Sequence, residues 1–483
     1  MVNQKNRKKY IYATELVRNI ILALLVVSMI LLVVMYIGGT HIYQSMTTDE
    51  SERPFDKLWS VQSDVNTEGL DATRMLPEFI GYKLASSTPV GCMADRESAL
   101  ELYNLITPCL IELFGSSGIC VGLDAQSGQQ LFSEAASGSE YIYIRYHVPV
   151  MYQLIFAYAS EKLVISDSDV AHLGSDLTNA YISEIIIIPD NNVAAHRFVA
   201  YAFDGSDRYF MFRLEESVLS SSFYMSRLSD EQLAIKTYPF DFADIPALSI
   251  SQPMLDAELE AEVIASNESG IDSIDTRNSL LRLFDFNPDK LSSYIDDDTE
   301  VFVRSMSRLR LGGGSISYQA SDIGSGVTLR NLLGYSVNDG LSLYDQLTAA
   351  DNLIRSIGEI SNELIGGEAA LCLGDVYTEN GLLYVEFFYT YANIRISDEP
   401  AAVIAMSQES LYSFTLETRA YTGTDEYTYS PPQQYIIEKL LASGSLGTGH
   451  DAQMVFAYRD GKAIWSARYD ALVPVLSNSF TLR

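Results

Sequence analysis

The segment Glu140-Tyr141-Ile142-Tyr143-Ile144-Arg145-Tyr146-His147-Val148 alternates strictly along its length. Ile142, Ile144, Tyr146 and Val148 fall on one face and Tyr141, Tyr143, Arg145 and His147 on the other, a period of two that predicts a β-strand. Downstream, Ile185 to Ile188, the turn Pro189-Asp190-Asn191-Asn192, His196 to Phe203, Asp204-Gly205 and Tyr209 to Leu214 predict three strands joined by two turns. Upstream, Leu100, Leu102, Leu105 and Ile106 are spaced for a helix, with Asp95 as N-cap and Pro108 as an interruption or kink. A helix followed by an antiparallel meander is the signature of an α+β fold.

The pattern recurs toward the C-terminus. Val301-Phe302-Val303, Leu309 to Leu311, the turn Gly312-Gly313-Gly314 and Ser315 to Tyr318 predict consecutive strands. Leu343, Leu347, Ala350, Ile354, Ile357 and Leu364 form one stripe of a helix from Ser342, ended by Gly366-Gly367. Strands follow at Leu371 to Val376, Leu382 to Ile396, Ala401 to Met406 and Leu411 to Tyr421, and a last hairpin turns at Asp460-Gly461. Residues 251–280 hold Glu258, Glu260, Glu262, Asn267, Ser269 and Gly270 and read as a surface loop or a connection between domains.

The chain has 483 residues and a net charge of −31, with 47% hydrophobic residues. That apolar fraction is too high for an acidic disordered tail, and a length of roughly three times about 150 residues predicts several domains. The scarcity of Lys and Arg argues against nucleic acid as a partner. The exception is the N-terminus, where Lys5, Arg7, Lys8, Lys9 and Arg18 face only Glu15, a net +4 that leaves −35 for the rest. From Ile20 to Ile37 runs an apolar stretch containing Leu24 and Leu31, broken only by Ser28. Its 13 Leu, Ile and Val residues contribute roughly −4 to −8 kcal/mol toward insertion. It is longer than the apolar region of a signal peptide and predicts an uncleaved transmembrane helix, with the basic tail cytoplasmic and the bulk extracytoplasmic. The expected organisation is a cytoplasmic tail (1–18), a transmembrane helix (19–39), a juxtamembrane stalk (40–75), and three α+β domains of antiparallel sheets and packed helices (76–240, 241–335, 336–483).

Signatures of chemistry are scarce. No G-x-S-x-G, S-x-x-K, H-E-x-x-H, Walker loop or complete G-x-G-x-x-G occurs. His41, His147, His172, His196 and His450 are scattered, and His147 and His196 fit packed strand positions. Cys92, Cys109, Cys120 and Cys372 include no C-x-x-C; buried free thiols are expected, with the first three as the candidates if a disulfide forms. Asp285 to Asp296 approaches an EF-hand frame, but Lys290 replaces its turn glycine and Asp296 is too short for its bidentate Glu. No catalytic, metal or cofactor site is assigned.

Leu283-Phe284-Asp285-Phe286-Asn287-Pro288-Asp289, Asp298-Thr299-Glu300-Val301-Phe302-Val303, Leu309-Arg310-Leu311 and Gly314-Ser315-Ile316-Ser317-Tyr318 resemble the central-domain segments of the YycH family. Gly381 to Tyr389, leading to Ile394 and Ile396, is similar to the hairpins of YycH and its partner YycI. The resemblance implies a protein that is not an enzyme: a membrane-anchored regulator of the YycG (WalK) sensor histidine kinase of Gram-positive bacteria, working with a YycI-like membrane protein to tune cell-wall metabolism. Ser28 would be the polar contact on its helix. The alternative from another class is a wall- or ligand-binding surface module, for which 31 tyrosines and 20 phenylalanines are available, and after it a wall-modifying hydrolase.

Overall fold

A computed structural model describes residues 70–469, except for 86, 116–117, 160–180, 191–196, 207, 215–224, 226–227, 229–234, 244–251, 272, 291, 305–306, 334–340 and 443–451. All of these lie in one compact unit, residues 63–483. Ile20, Leu24, Ser28, Leu31 and Ile37, with Lys5, Arg7, Lys8, Lys9 and Arg18, lie outside the described residues, as do His41, His172, His196 and His450. Among the described residues no helix is long and apolar enough to cross a membrane.

The first sheet contains β1 (Phe79–Lys83), β2 (Val90–Cys92), β3 (Gly118–Leu123), β4 (Tyr141–Met151), β5 (Tyr181–Asp190), β6 (Arg197–Phe203), β7 (Tyr209–Leu214), β8 (Tyr238–Ala243) and β9 (Gln252–Leu255), in the order β3-β7-β6-β5-β4-β1-β2-β8-β9. The alternating segment is thus a central strand, and both of its faces are buried from Tyr141 to His147. The expected meander is β5-β6-β7. Helix α1 (Arg96–Phe114) begins where the Asp95 side chain accepts from Ser98 N, and it runs through Pro108. Two further helices, α2 (Ala125–Ala136) and α3 (Tyr152–Ala159), were not anticipated. In α2 the buried positions are small apart from Phe132, and a Cβ on Gly128 would lie 2.3 Å from Tyr209 Cβ, so only glycine fits.

Residues 251–280 are a correction, because they are not a loop. They form β9, β10 (Leu259–Glu268) and most of α4 (Ile274–Leu283). The glutamates that gave the segment its loop-like composition alternate along β10 with Leu259 and Ala261, which are buried.

The largest sheet has eleven strands. It runs β11 (Ser292–Asp296), β12 (Thr299–Arg304), β13 (Ser307–Gly312), β14 (Ser315–Ala320), β20 (Leu411–Glu417), β19 (Ala402–Met406), β17 (Leu382–Tyr391), β18 (Ile394–Arg395), β22 (Ala452–Arg459) and β23 (Lys462–Tyr469), with β16 (Ala370–Glu379) paired to β17. A three-stranded sheet joins β10, β21 (Arg419–Ser430) and β15 (Gly366–Gly367). The Gly312-Gly313-Gly314 turn has positive φ at all three residues, which explains its composition. One cross-strand row of the large sheet, Phe302, Leu309, Tyr318, Phe414, Ile404, Val385 and Val376, is buried throughout. Phe284, capping α4, stacks on Tyr318 at 5.3 Å and so marks this as the inner face.

Helix α5 (Leu329–Leu333) packs on α6 (Leu343–Ile360). A reciprocal capping box between Ser342 and Asp345 starts α6, and Leu347, Ala350, Leu353, Ile354 and Ile357 bury its apolar stripe. After Ser361 the chain tightens to a 3-10 turn over Asn362–Ile365 and stops at Gly366, with φ 112°. The last described helix is α7 (Gln433–Ala442). Buried side chains from Leu70 to Trp465 form one continuous hydrophobic core.

Candidate functional site: a buried clamp on residues 71–79

The described chain begins with a short 3-10 turn, Ala72–Met75, capped by Asp71, whose Oδ1 accepts from Thr73 N at 3.0 Å and Thr73 Oγ1 at 2.7 Å. The turn projects Arg74 into the core, where it is 7% exposed. There Arg74 pairs with Asp351 of α6, which has no exposed surface. Arg74 Nη1 also donates to Leu371 O on β16 at 2.9 Å, and its guanidinium stands 5.7 Å from the centre of the Phe387 ring. Asp351 Oδ2 accepts from Asp71 N at 2.7 Å and lies 3.4 Å from Arg355 Nη2.

Two more ties follow within a few residues. Asn393, at φ 63°, donates from Nδ2 to Pro77 O at 2.7 Å and accepts from His147 Nε2 at 3.4 Å. His147 packs edge-on against Phe388 at 5.4 Å, so it is a satisfied core histidine rather than a ligand. Glu78 pairs with Arg145 of β4 at 3.2 Å, and Glu184 of β5 accepts from Tyr143 Oη at 2.8 Å beside them. Residues 71–79 are therefore fastened simultaneously to the first sheet, to α6 and to the large sheet.

Burial governs the electrostatics. It raises the Asp351 and Glu184 carboxyls above the usual range, despite Arg74 beside one and Arg145 beside the other. For Asp71 burial acts in the same direction, but the Arg74 guanidinium and the Thr73 hydrogen bonds outweigh it and hold the group below its ordinary value. Removing one partner would leave a buried charge unmatched, at a cost of about 3–5 kcal/mol. The cluster contains no nucleophile with an activating base. What it does in this structure is fasten residues 71–79 to three elements at once.

The sequence places Arg145 and His147 on one strand face and reads His147 as packed, but it does not bring the clamp together, although two signals of it are present. Asp351 is a charge inside the buried stripe of α6, one turn from Leu347 and Ile354, and Arg145 is a charge in a strand buried on both faces. The cysteines are all free, which removes the disulfide alternative. Burial pushes the Cys92 and Cys120 thiols up to about 12. Among the described residues no group of three or more His, Cys, Asp or Glu could hold a metal ion. Asp285 and Asp296 of the EF-hand-like frame instead pair with Arg304 and Arg310.

An open recess of about 520 Å³ lies at the junction of β10, β21 and the β22–β23 turn, lined by Ser266, Glu399, Glu417, Arg419, Tyr458 and Asp460 among others. Glu417 and Arg419 pair at 2.9 Å, and Tyr421 and Tyr458 present almost no surface to it. It is an open, polar recess in which neither lining tyrosine offers an aromatic platform.

No family model matches the chain. No curated protein matches it. Among solved structures it is similar to the crystal structure of YycH from Bacillus subtilis, with a TM-score of 0.51 and 11% sequence identity over 84% of this chain and 97% of that one. With mixed α+β architecture, large antiparallel sheets and a likeness that spans nearly the whole of that structure, the chain has a YycH-like fold.

Proposed function

We propose that this protein is a non-enzymatic, membrane-anchored regulator of a sensor histidine kinase of the YycG/WalK type, with residues 20–37 as its single membrane helix and its bulk outside the cell. The observation that carries this reading is the YycH-like fold across 84% of the chain. The basic tail and the apolar run supply the anchor and its orientation. A regulator of this kind must favour one of two kinase arrangements by differential contact, in the membrane through Ser28 and its neighbours, outside through the domain surfaces, or both. The clamp on residues 71–79 suits such a device, because it fastens the first described turn to three elements of the fold. A YycI-like membrane protein is the expected partner in the complex, and cell-wall metabolism the expected output.

The test is purification of the tagged full-length chain from its own membranes. Recovery of a histidine kinase and a small single-span partner supports the proposal. Recovery of neither, with the body binding wall fragments, transfers the function to the surface-module reading.

A further inference from the structure

The large sheet ends on β11, and among the described residues no strand lies beyond it. Folded chains usually guard such an edge with lysine, proline or a bulge, because its free N–H and C=O groups invite another strand. Other ends are guarded here. β9, which ends the first sheet, contains Pro253, and its Leu255 N–H donates to Gln433 Oε1 of α7 at 3.3 Å. β23, which ends the large sheet on the far side, lies against β10 and β21. β11 reads Ser292-Ser293-Tyr294-Ile295-Asp296, with no lysine, proline or glycine; it pairs with β12 without a bulge, and all five residues are exposed.

The apolar side chains of this edge are uncovered. Tyr294 is 52% exposed on the outer face, and Ile295, on the inner face with Ser293, is 78% exposed. Helix α4 crosses the inner face: Phe284 at its C-terminal end stacks on Tyr318 of β14, while Arg277 reaches Glu300 of β12 at 3.3 Å. Glu300 stands directly opposite Ile295 and accepts from Ser293 Oγ at 3.1 Å. The first turn of α4, with Ile274 65% exposed, therefore points toward the edge. Charge is divided between the two ends of the strand. Around its start Lys290, Arg304 and Arg308 outnumber Asp285 and Asp289, whereas around its end Asp296, Asp297, Asp298 and Glu300 outnumber Arg277 and Arg310.

We infer that β11 pairs antiparallel with β11 of a second copy of the chain, about a two-fold axis through Tyr294 and perpendicular to the sheet. One sheet then runs through both copies with their inner faces on the same side. In this register Ser292 lies opposite the second copy's Asp296, Ser293 opposite its Ile295, and Tyr294 opposite its Tyr294. No carboxylate meets a carboxylate. The two tyrosines meet on the outer face, and on the inner face both Ile295 side chains enter one apolar strip with Ile274 of each α4 toward it. The basic start of each strand lies against the acidic end of the other, twice, which is the self-complementarity an isologous contact requires. At a net charge of −31 two copies repel over most of their surfaces, so this match also sets their orientation. Any extended segment could satisfy the edge N–H and C=O groups; what favours a second copy is that the apolar and charge order of β11 matches its own reverse. The inference is independent of the kinase reading.

The test uses the full-length chain in intact cells. Tyr294→Cys, at the axis, should form a disulfide-linked dimer under mild oxidation, and Tyr427→Cys, exposed on the three-stranded sheet, should not. Ser292→Cys and Asp296→Cys should each fail alone, because each position lies about 14 Å from its counterpart, beyond the roughly 7 Å that a disulfide spans. Produced together in one cell, those two variants should cross-link to each other. Ile295→Lys, which gives the edge the guard it lacks, should reduce the Tyr294→Cys dimer by about tenfold at an unchanged unfolding midpoint. Absence of the Tyr294→Cys dimer overturns the inference, as does equal cross-linking at Tyr427→Cys or failure of the Ser292→Cys and Asp296→Cys pair. Undiminished cross-linking with Ile295→Lys, or a photo-cross-linker at position 294 that captures a different protein, also overturns it.

Discussion

The carboxylate of Asp351 accepts a hydrogen bond from the backbone N–H of Asp71 at 2.7 Å, across 280 positions of sequence. The same carboxylate pairs with Arg74, so the first described turn and helix α6 share one buried charge. The first described turn is thus held by a residue from far along the sequence.

Arg74→Ala is expected to destabilise the protein by about 3–5 kcal/mol, because Asp351 is left buried without its guanidinium. Arg74→Met combined with Asp351→Leu should recover most of that loss, since a packed apolar pair replaces the ions. Denaturant titration of the three proteins measures it. A loss below about 1 kcal/mol for Arg74→Ala would mean that water reaches the site.

Acid should affect stability in two stages. Asp351, Glu184, Asp375 and Glu386 have raised values, so the folded state takes up their protons before the unfolded state does, and stability rises as pH falls toward them. Asp71 and Asp204 have lowered values, so their contribution is present above the ordinary carboxylate range and is lost as pH falls through their folded values. Melting temperature is therefore expected to climb as pH falls from neutral toward the ordinary carboxylate range of about 4, and to fall below it. A steady decline from pH 7 downward would contradict this assignment.

The thiols should be inert in the native state. With burial raising Cys92 and Cys120 to about 12 and Cys109 higher still, almost no thiolate is present at neutral pH. A chromogenic disulfide reagent should label the described cysteines only on unfolding. Rapid labelling of the folded protein would show that an element over the thiols opens.

Ser342→Ala removes one half of the α6 capping box and should cost about 1 kcal/mol in a thermal melt. Asp345→Ala should cost a similar amount by breaking the other half. No change in either variant would mean that packing of Leu347 and Ile354 alone sets the start of α6.

Local patterns were legible where burial followed a simple period. The alternation from Tyr141, the Ser342 cap with its apolar stripe, and the turn at Asp460-Gly461 all lie where the sequence places them. Residues 251–280 were misread because β10 exposes its glutamates and pairs with β21, a partner far along the chain that no local pattern announces. Helix α2 was missed because its buried face is mostly small, and the clamp because its charges are compensated only in three dimensions.

The most direct measurement is the autophosphorylation rate of the YycG/WalK-type kinase from the same cell, reconstituted in vesicles with and without the full-length chain. The expected result is a severalfold change in rate that requires residues 20–37, disappears when an unrelated spanning helix replaces them, and leaves the folded body unaltered. An unchanged rate with both proteins inserted in the same bilayer and correctly oriented would contradict the regulatory role.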